Sequence, residues 1–189
     1  NGHHLILGEL ADYLTGETLH DTNDERYRQA IARLLVEQKG FAKKEIQPRQ
    51  DLRVTAAGKC AVIKVDFSVI VENRVHMILR YAPGSLVTRH RPSLAVSRTL
   101  TNYQIPVVVV TNGAEADILD GATGAVLARG LDKVPAKTAL LEKVRSVVPM
   151  EISRERAEKE MRIIYAFDVD GSCPSDDTIC RLSDSPVGP

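Results

Sequence analysis

Every residue from 105 to 110 is apolar, Pro106 included, and four consecutive valines close the run. The stretch is strand-sized. A strand with one wet face alternates apolar and polar residues, whereas a strand covered on both faces is apolar throughout. The chain is therefore expected to place helices on both sides of a sheet, which is an α/β fold with a mixed sheet.

The neighbouring segments supply the other elements. Thr22-Asn23-Asp24-Glu25 fits a capping box, in which a hydroxyl accepts the amide three residues on and a carboxylate reaches back. It predicts a helix over 24–39, with Tyr27, Ala30, Ile31, Leu34 and Leu35 on one face and Gly40 as its stop. Segments 51–55, 60–71 and 74–81, parted by turns at Gly58-Lys59 and Glu72-Asn73, read as an antiparallel meander. Pro92 suits the first turn of a second helix carrying Leu94, Ala95 or Val96, Leu100 and Tyr103. Beyond the central strand, Asn112-Gly113 turns the chain back, and 116–119 and 125–128 add short strands. Pro135 opens a helix with a stripe of Leu140, Leu141, Val144, Val147 and Val148, which Pro149 ends, and another helix is expected over about 153–167. Ahead of these lies an arm over 1–21 with a weak helical patch at 6–14. The expected division is arm 1–21, main domain 22–148, C-terminal helix 149–168 and a loosely held polar tail 169–189.

Composition removes several classes. Hydrophobic residues are 43% and charged residues 26%, which suits a folded globular chain and excludes disorder. No apolar stretch is long enough to cross a membrane as a helix. Lys plus Arg and Asp plus Glu number 25 each, so bulk charge commits the chain to neither nucleic acid nor membrane. Residues 1–4 lack the features of a secretion signal, and three cysteines are too few for a disulfide scaffold, so a cytoplasmic location is expected.

No glycine-rich phosphate loop, nucleophile elbow or zinc-protease helix occurs. His3, His4, His20, His76 and His90 are scattered, with no metal-ligand spacing, and His76 within a strand reads as structural. Cys173 and Cys180 lack the two further ligands of a closed zinc site and are expected to be free thiols. No cofactor is expected.

Four strings then appear in a telling order: Glu25-Arg26-Tyr27-Arg28-Gln29 in the first helix, Val65-Asp66-Phe67 in the second meander strand, Tyr81-Ala82-Pro83-Gly84-Ser85 after the third, and Tyr103 onward to Thr111-Asn112-Gly113. With the α-βββ-α-β order, residues 22–148 resemble the N-terminal nuclease domain of type I restriction enzyme R subunits, a branch of the PD-(D/E)XK superfamily. The resemblance implies a restriction-endonuclease-like core with added C-terminal helices. It also implies a degenerate site. The family's Glu-x-Lys falls on Leu79 and Tyr81, and its Gln ahead of Tyr103 falls on Thr99. Mg²⁺-dependent hydrolysis needs hard carboxylate oxygens, which Asp66 supplies and Leu79 does not. Met77, Leu79 and Tyr81 share one strand face, so the former site face is largely apolar. Glu25 and Lys64 are the residues that relocated roles would use, although a capping carboxylate and a solvated lysine describe them better. Asp66, set among apolar residues, needs a partner: Lys64, a helix residue or a bound ion.

Residues 73–114 hold five arginines and no lysine, aspartate or glutamate. Arg89, Arg91 and Arg98 are the candidates for phosphate contact, the first two expected in the loop before the second helix. The competing expectation is that acidic residues of the first helix or the tail pair with them. Three readings follow. The first is a restriction-endonuclease-like domain that has lost metal-dependent cleavage and binds nucleic acid or a partner subunit. The second is an active Mg²⁺-dependent nuclease using Asp66 with Glu25 or Lys64. The third is a purely protein-interacting module, as a homo-oligomer or with another chain. An open cleft at Asp66 with a second carboxylate in reach favours cleavage, and a sealed one opposes it.

Overall fold

The computed structural model describes residues 5–171 and 179–182. At the N-terminus, β1 (Gly8–Ala11) and β2 (Thr18–Asp21) form an antiparallel hairpin where the sequence predicts a weak helical patch. The turn accounts for the difference, because Asp12 accepts the amides of Leu14 and Thr15, each at 2.8 Å, and closes the hairpin locally.

Thr22 caps α1 (Asn23–Arg33) by accepting the Glu25 amide at 3.1 Å, and a π-helical turn, Leu34–Gln38, continues it as far as expected. Only half of the expected box forms, since the Glu25 carboxylate turns toward Gln29 and two arginines rather than back to the cap. The buried stripe is also displaced from expectation. Ile31, Ala32 and Leu35 are buried, Tyr27 and Ala30 are exposed, and Asp24, Glu25 and Gln29 are buried in the first turns.

The meander consists of β3 (Ile46–Ala56), β4 (Lys59–Val71) and β5 (Arg74–Tyr81). Its two tight turns, Ala57-Gly58 and Glu72-Asn73, hold both central residues at positive φ, the handedness that matches strand twist. β5 leads through α2 (Val87–Ser97) to β6 (Val107–Thr111), which lies parallel to β5, as a helical crossover allows. All five residues of β6 are buried, as its sequence requires. β7 (Ala116–Asp120) and β8 (Val126–Arg129) complete the order β3-β4-β5-β6-β7-β8. α3 (Lys137–Arg145), α4 (Arg154–Ile164), a π-helical turn Tyr165–Asp170 and β9 (Ile179–Leu182) follow. β9 pairs with residues 60–63 of β4, a stretch that β5 does not reach, so this part of the expected loose tail is a strand.

Two further expectations are corrected. Pro92 sits inside α2, which begins at Val87, so Arg89, His90 and Arg91 are helical and Tyr103 lies beyond the helix. Val147 and Val148 fall past the end of α3 and are exposed.

Helices cover both faces of the sheet. One core gathers Leu94, Ala95 and Val96 of α2 with Ile164, Tyr165 and Val169 of the last helical segment. The other gathers Ile31, Ala32 and Leu35 of α1 with Leu140 of α3. β4 contributes to both in an uneven way: Ala61, Ile63 and Val65 belong to the first core, whereas Phe67, Val69 and Val71 belong to the second. Residues two apart on a regular strand share a face. The alternation resets at Asp66, which with Arg49, held at φ 48°, is left out of the β3–β4 pairing between Pro48↔Phe67 and Gln50↔Val65. This irregularity places Asp66 at the hinge between the two cores.

Candidate functional site

Asp66 is only 7% exposed, and both of its oxygens are taken. Arg28 of α1 donates from Nε to Oδ1 at 2.7 Å, and the Tyr81 backbone amide donates to Oδ2 at 2.9 Å. The amide is available because residues 67–71 are the part of β4 that pairs with β5, leaving Tyr81 beyond the ladder. The partner that Asp66 needs is thus a helix residue. Lys64 instead pairs with Asp51 at 2.8 Å on the exposed side.

Around this pair the buried charges form a continuous network. Arg28 also approaches Glu25, with Nη1 3.6 Å from Oε2, so its guanidinium lies between the two carboxylates. Glu25 Oε1 accepts from Gln29 Nε2 at 2.8 Å and faces Arg49 Nη1 at 3.5 Å. The hairpin turn supplies Asp12, whose Oδ2 accepts from Arg49 at 2.7 Å and from Gln29 at 3.1 Å. On the other side, the Tyr81 hydroxyl donates to Asp24 Oδ1 at 2.9 Å, its ring stacks on Tyr27, and Arg28 covers it at 5.2 Å. Removing charges from water costs several kcal/mol per ion, recovered only where pairing and hydrogen bonding are good. The observed contacts meet that condition.

The electrostatics follow. Burial opposes the Arg28 charge, but Asp66 and then Glu25 outweigh it and hold the guanidinium protonated well above its ordinary range. Burial and the Asp24 carboxylate push the Tyr81 phenol up, so it stays a donor. Burial raises the Asp12 carboxyl, yet the Thr15 amide, Arg49 and Gln29 more than offset this and hold it below the usual carboxylate value.

Leu79 and Tyr81 lie in the core beside α1, as their shared strand face predicts. Thr99 points its hydroxyl back to the Ala95 carbonyl at 2.9 Å. Tyr103 is not brought to Asp66: its hydroxyl accepts the Val75 amide at 2.8 Å, at the far end of β5. Six residues of strand separate the ends, roughly 20 Å at about 3.3 Å per residue. Among the described residues no three His, Cys, Asp or Glu side chains converge as ligands. A hard divalent cation takes several oxygens. The oxygens of Asp66 are engaged by N–H donors and Leu79 has none to offer, so this donor set does not fit Mg²⁺.

A second charged region joins α2 to α4. Glu160, 1% exposed, lies at the centre of three arginines. Arg156 donates to Oε1 at 2.7 Å and Arg98 at 3.1 Å, while Arg91 pairs with Oε2 at 2.6 Å. Asp168 pairs with Arg80 at 2.9 Å and with Arg89 at 3.8 Å. Arg98 does not face solvent as expected. It is buried, with further bonds to Gln104 and to the carbonyls of Gly121 and Ala122. Arg89, Arg91 and Arg156 keep 39%, 43% and 53% of their side chains exposed. The acidic partners come from α4 and the turn after it, not from α1. Asp12, Arg28, Arg49, Arg156 and Glu160 were absent from the sequence-based candidates; Arg28 alone carried a signal, standing beside the capping acids of α1. Cys173 lies outside the described residues, and only the backbone of Cys180 is described.

Comparison with protein families gives a match over residues 23–135 to the type I restriction enzyme R protein N terminus. No curated protein and no solved structure matches the chain.

Proposed function

Because the chain belongs to the type I restriction enzyme R protein N-terminal family, we propose that it is a non-cleaving member that retains the scaffold as a binding domain and contacts the phosphate backbone of nucleic acid. The observation that carries this reading is the Arg28 guanidinium seated on Asp66, 2.7 Å from Oδ1. In the PD-(D/E)XK pattern that the chain resembles, this carboxylate holds the metal. Here a fixed organic cation stands against it, and Leu79 and Tyr81 replace the remaining catalytic pair.

Support for phosphate binding comes from the second charged region. Arg80, Arg89, Arg91, Arg98 and Arg156 outnumber by three the two carboxylates they pair with, Glu160 and Asp168. Three of the guanidinium groups reach solvent, and Arg is well suited to bidentate phosphate contact.

The test has two arms. With Mg²⁺ or Mn²⁺ the purified chain is expected to leave plasmid and single-stranded DNA intact, and cleavage that disappears in Asp66→Ala would overturn the non-cleaving reading. Duplex DNA is expected to bind with a log-log salt slope of roughly −2.7 for three phosphates, at about −0.9 each. Replacing Arg89 and Arg91 together by Ala should flatten that slope by nearly two units. No association at low salt would instead leave a protein partner as the role of this face.

A further inference from the structure

At the opposite end of β5 from Asp66 lies a cavity of about 280 Å³, between the start of β5, the segment before β6 and the end of α3. Its lining carries three basic side chains, Arg74, His76 and Arg145, and one acidic one, Glu72. Arg145 is exposed and has no ion pair among the described residues. Arg74 lies over the Tyr103 ring at 4.6 Å, and the Tyr103 hydroxyl accepts the Val75 amide at 2.8 Å. The apolar part of the lining includes Leu141 and Val144 of α3 and the exposed Val147 beyond it. The volume lies just below the usual range of ligand pockets, about 300 to 1,000 Å³, and suits a small ligand.

We infer that this cavity is a binding site for a small phosphate monoester with an apolar or planar body, Arg145 and Arg74 taking the phosphate and the α3 wall taking the body. Two guanidinium groups against one carboxylate favour an anion, and a dianionic phosphate uses both. His76 adds a reporter. Burial first, then the neighbouring Arg74 charge, hold its imidazole below its ordinary value, against the weaker pull of Glu72 and the Val71 backbone. A bound phosphate adds negative charge and raises it. The site is separate from the arginines of α2, so this inference does not rest on nucleic-acid binding by that face.

The full chain is to be titrated with AMP and with phenyl phosphate, with adenosine and inorganic phosphate as controls, by calorimetry and by NMR of the His76 ring. Saturable binding of AMP or phenyl phosphate is expected, at least about tenfold tighter than either control, because body and phosphate are both recognised. Arg145→Ala, an exposed change that leaves the core untouched, should weaken binding about tenfold or more. Val147→Asp should weaken it too, and Arg89→Ala with Arg91→Ala should leave it unchanged. The His76 titration should move upward on saturation. The inference is overturned if neither monoester saturates, if the controls bind equally well, if Arg145→Ala has no effect, or if the His76 titration stays where it is.

Discussion

Arg28 and Asp66, thirty-eight positions apart in sequence, meet through a 2.7 Å charge-assisted hydrogen bond inside the protein. Neither is paired by chance of local sequence: one comes from the first turns of α1, the other from the break in alternation of β4. Arg28→Ala leaves the Asp66 carboxylate buried without its cation. Unfolding by urea should show a loss of about 3–5 kcal/mol, the usual cost of breaking a buried pair from one side. Arg28→Met combined with Asp66→Leu should recover much of it, and a single-variant loss below about 1 kcal/mol would show the pair to be structurally idle.

Arg98 and Arg91 share Glu160 but differ in burial, which separates their roles. Arg98→Met forfeits bonds to Gln104, Glu160 and two carbonyls, and should cost about 2–4 kcal/mol. Arg91→Ala, at a half-exposed head, should cost about 1 kcal/mol or less. Equal losses in thermal unfolding would contradict the arrangement.

Gly113 stands at φ 89°, and a Cβ there would lie 2.2 Å from the Tyr27 ring. Gly113→Ala should therefore destabilise by more than about 1 kcal/mol through backbone strain alone, with a further steric part. Measuring it in a Tyr27→Ala background removes only the steric part. Additivity of the two changes would mean that Tyr27 does not rest on the turn.

Acid should loosen the fold. Asp12 and Glu160 both titrate below their ordinary values, 3.8 and 4.5. For Glu160, burial pushes upward while Arg91 and Arg156 pull further down. A carboxylate whose pKa is depressed on folding stabilises above its unfolded pKa and loses that contribution as pH falls through the folded one. Urea midpoints should hold from neutral pH to about pH 5 and then decline, with a shallower decline in Glu160→Gln. A midpoint that rises between pH 5 and pH 3 would reverse the sign.

Much of the architecture was legible in the sequence because its signals are local. The all-apolar run of β6, the alternation of β5 and the turn at Glu72-Asn73 each carry their own physics. The hairpin β1–β2 escaped because Gly8–Ala11 is four residues long and is fixed by an Asp12 turn and by Arg49. β9 escaped because its partner, residues 60–63, is far away in the chain. Leu79 and Tyr81 were legible as an apolar face, and a helix residue was among the expected partners of Asp66, whereas its identity as Arg28 was not legible. Nothing in the spacing of Arg28 tells that α1 lies against the point where β4 changes sides. For Arg98, local charge density pointed outward, and a glutamate 62 positions on drew it in.

The change of sides in β4 also bears on how the molecule opens. One strand lines one core through Val65 and the other through Phe67, so neither core can melt while the other keeps its share of β4 in place. The two layers are therefore expected to form a single cooperative unit. Amide protons on either side of Asp66 should then exchange with solvent only through global unfolding, at matching free energies, while those of the terminal hairpin exchange through smaller openings.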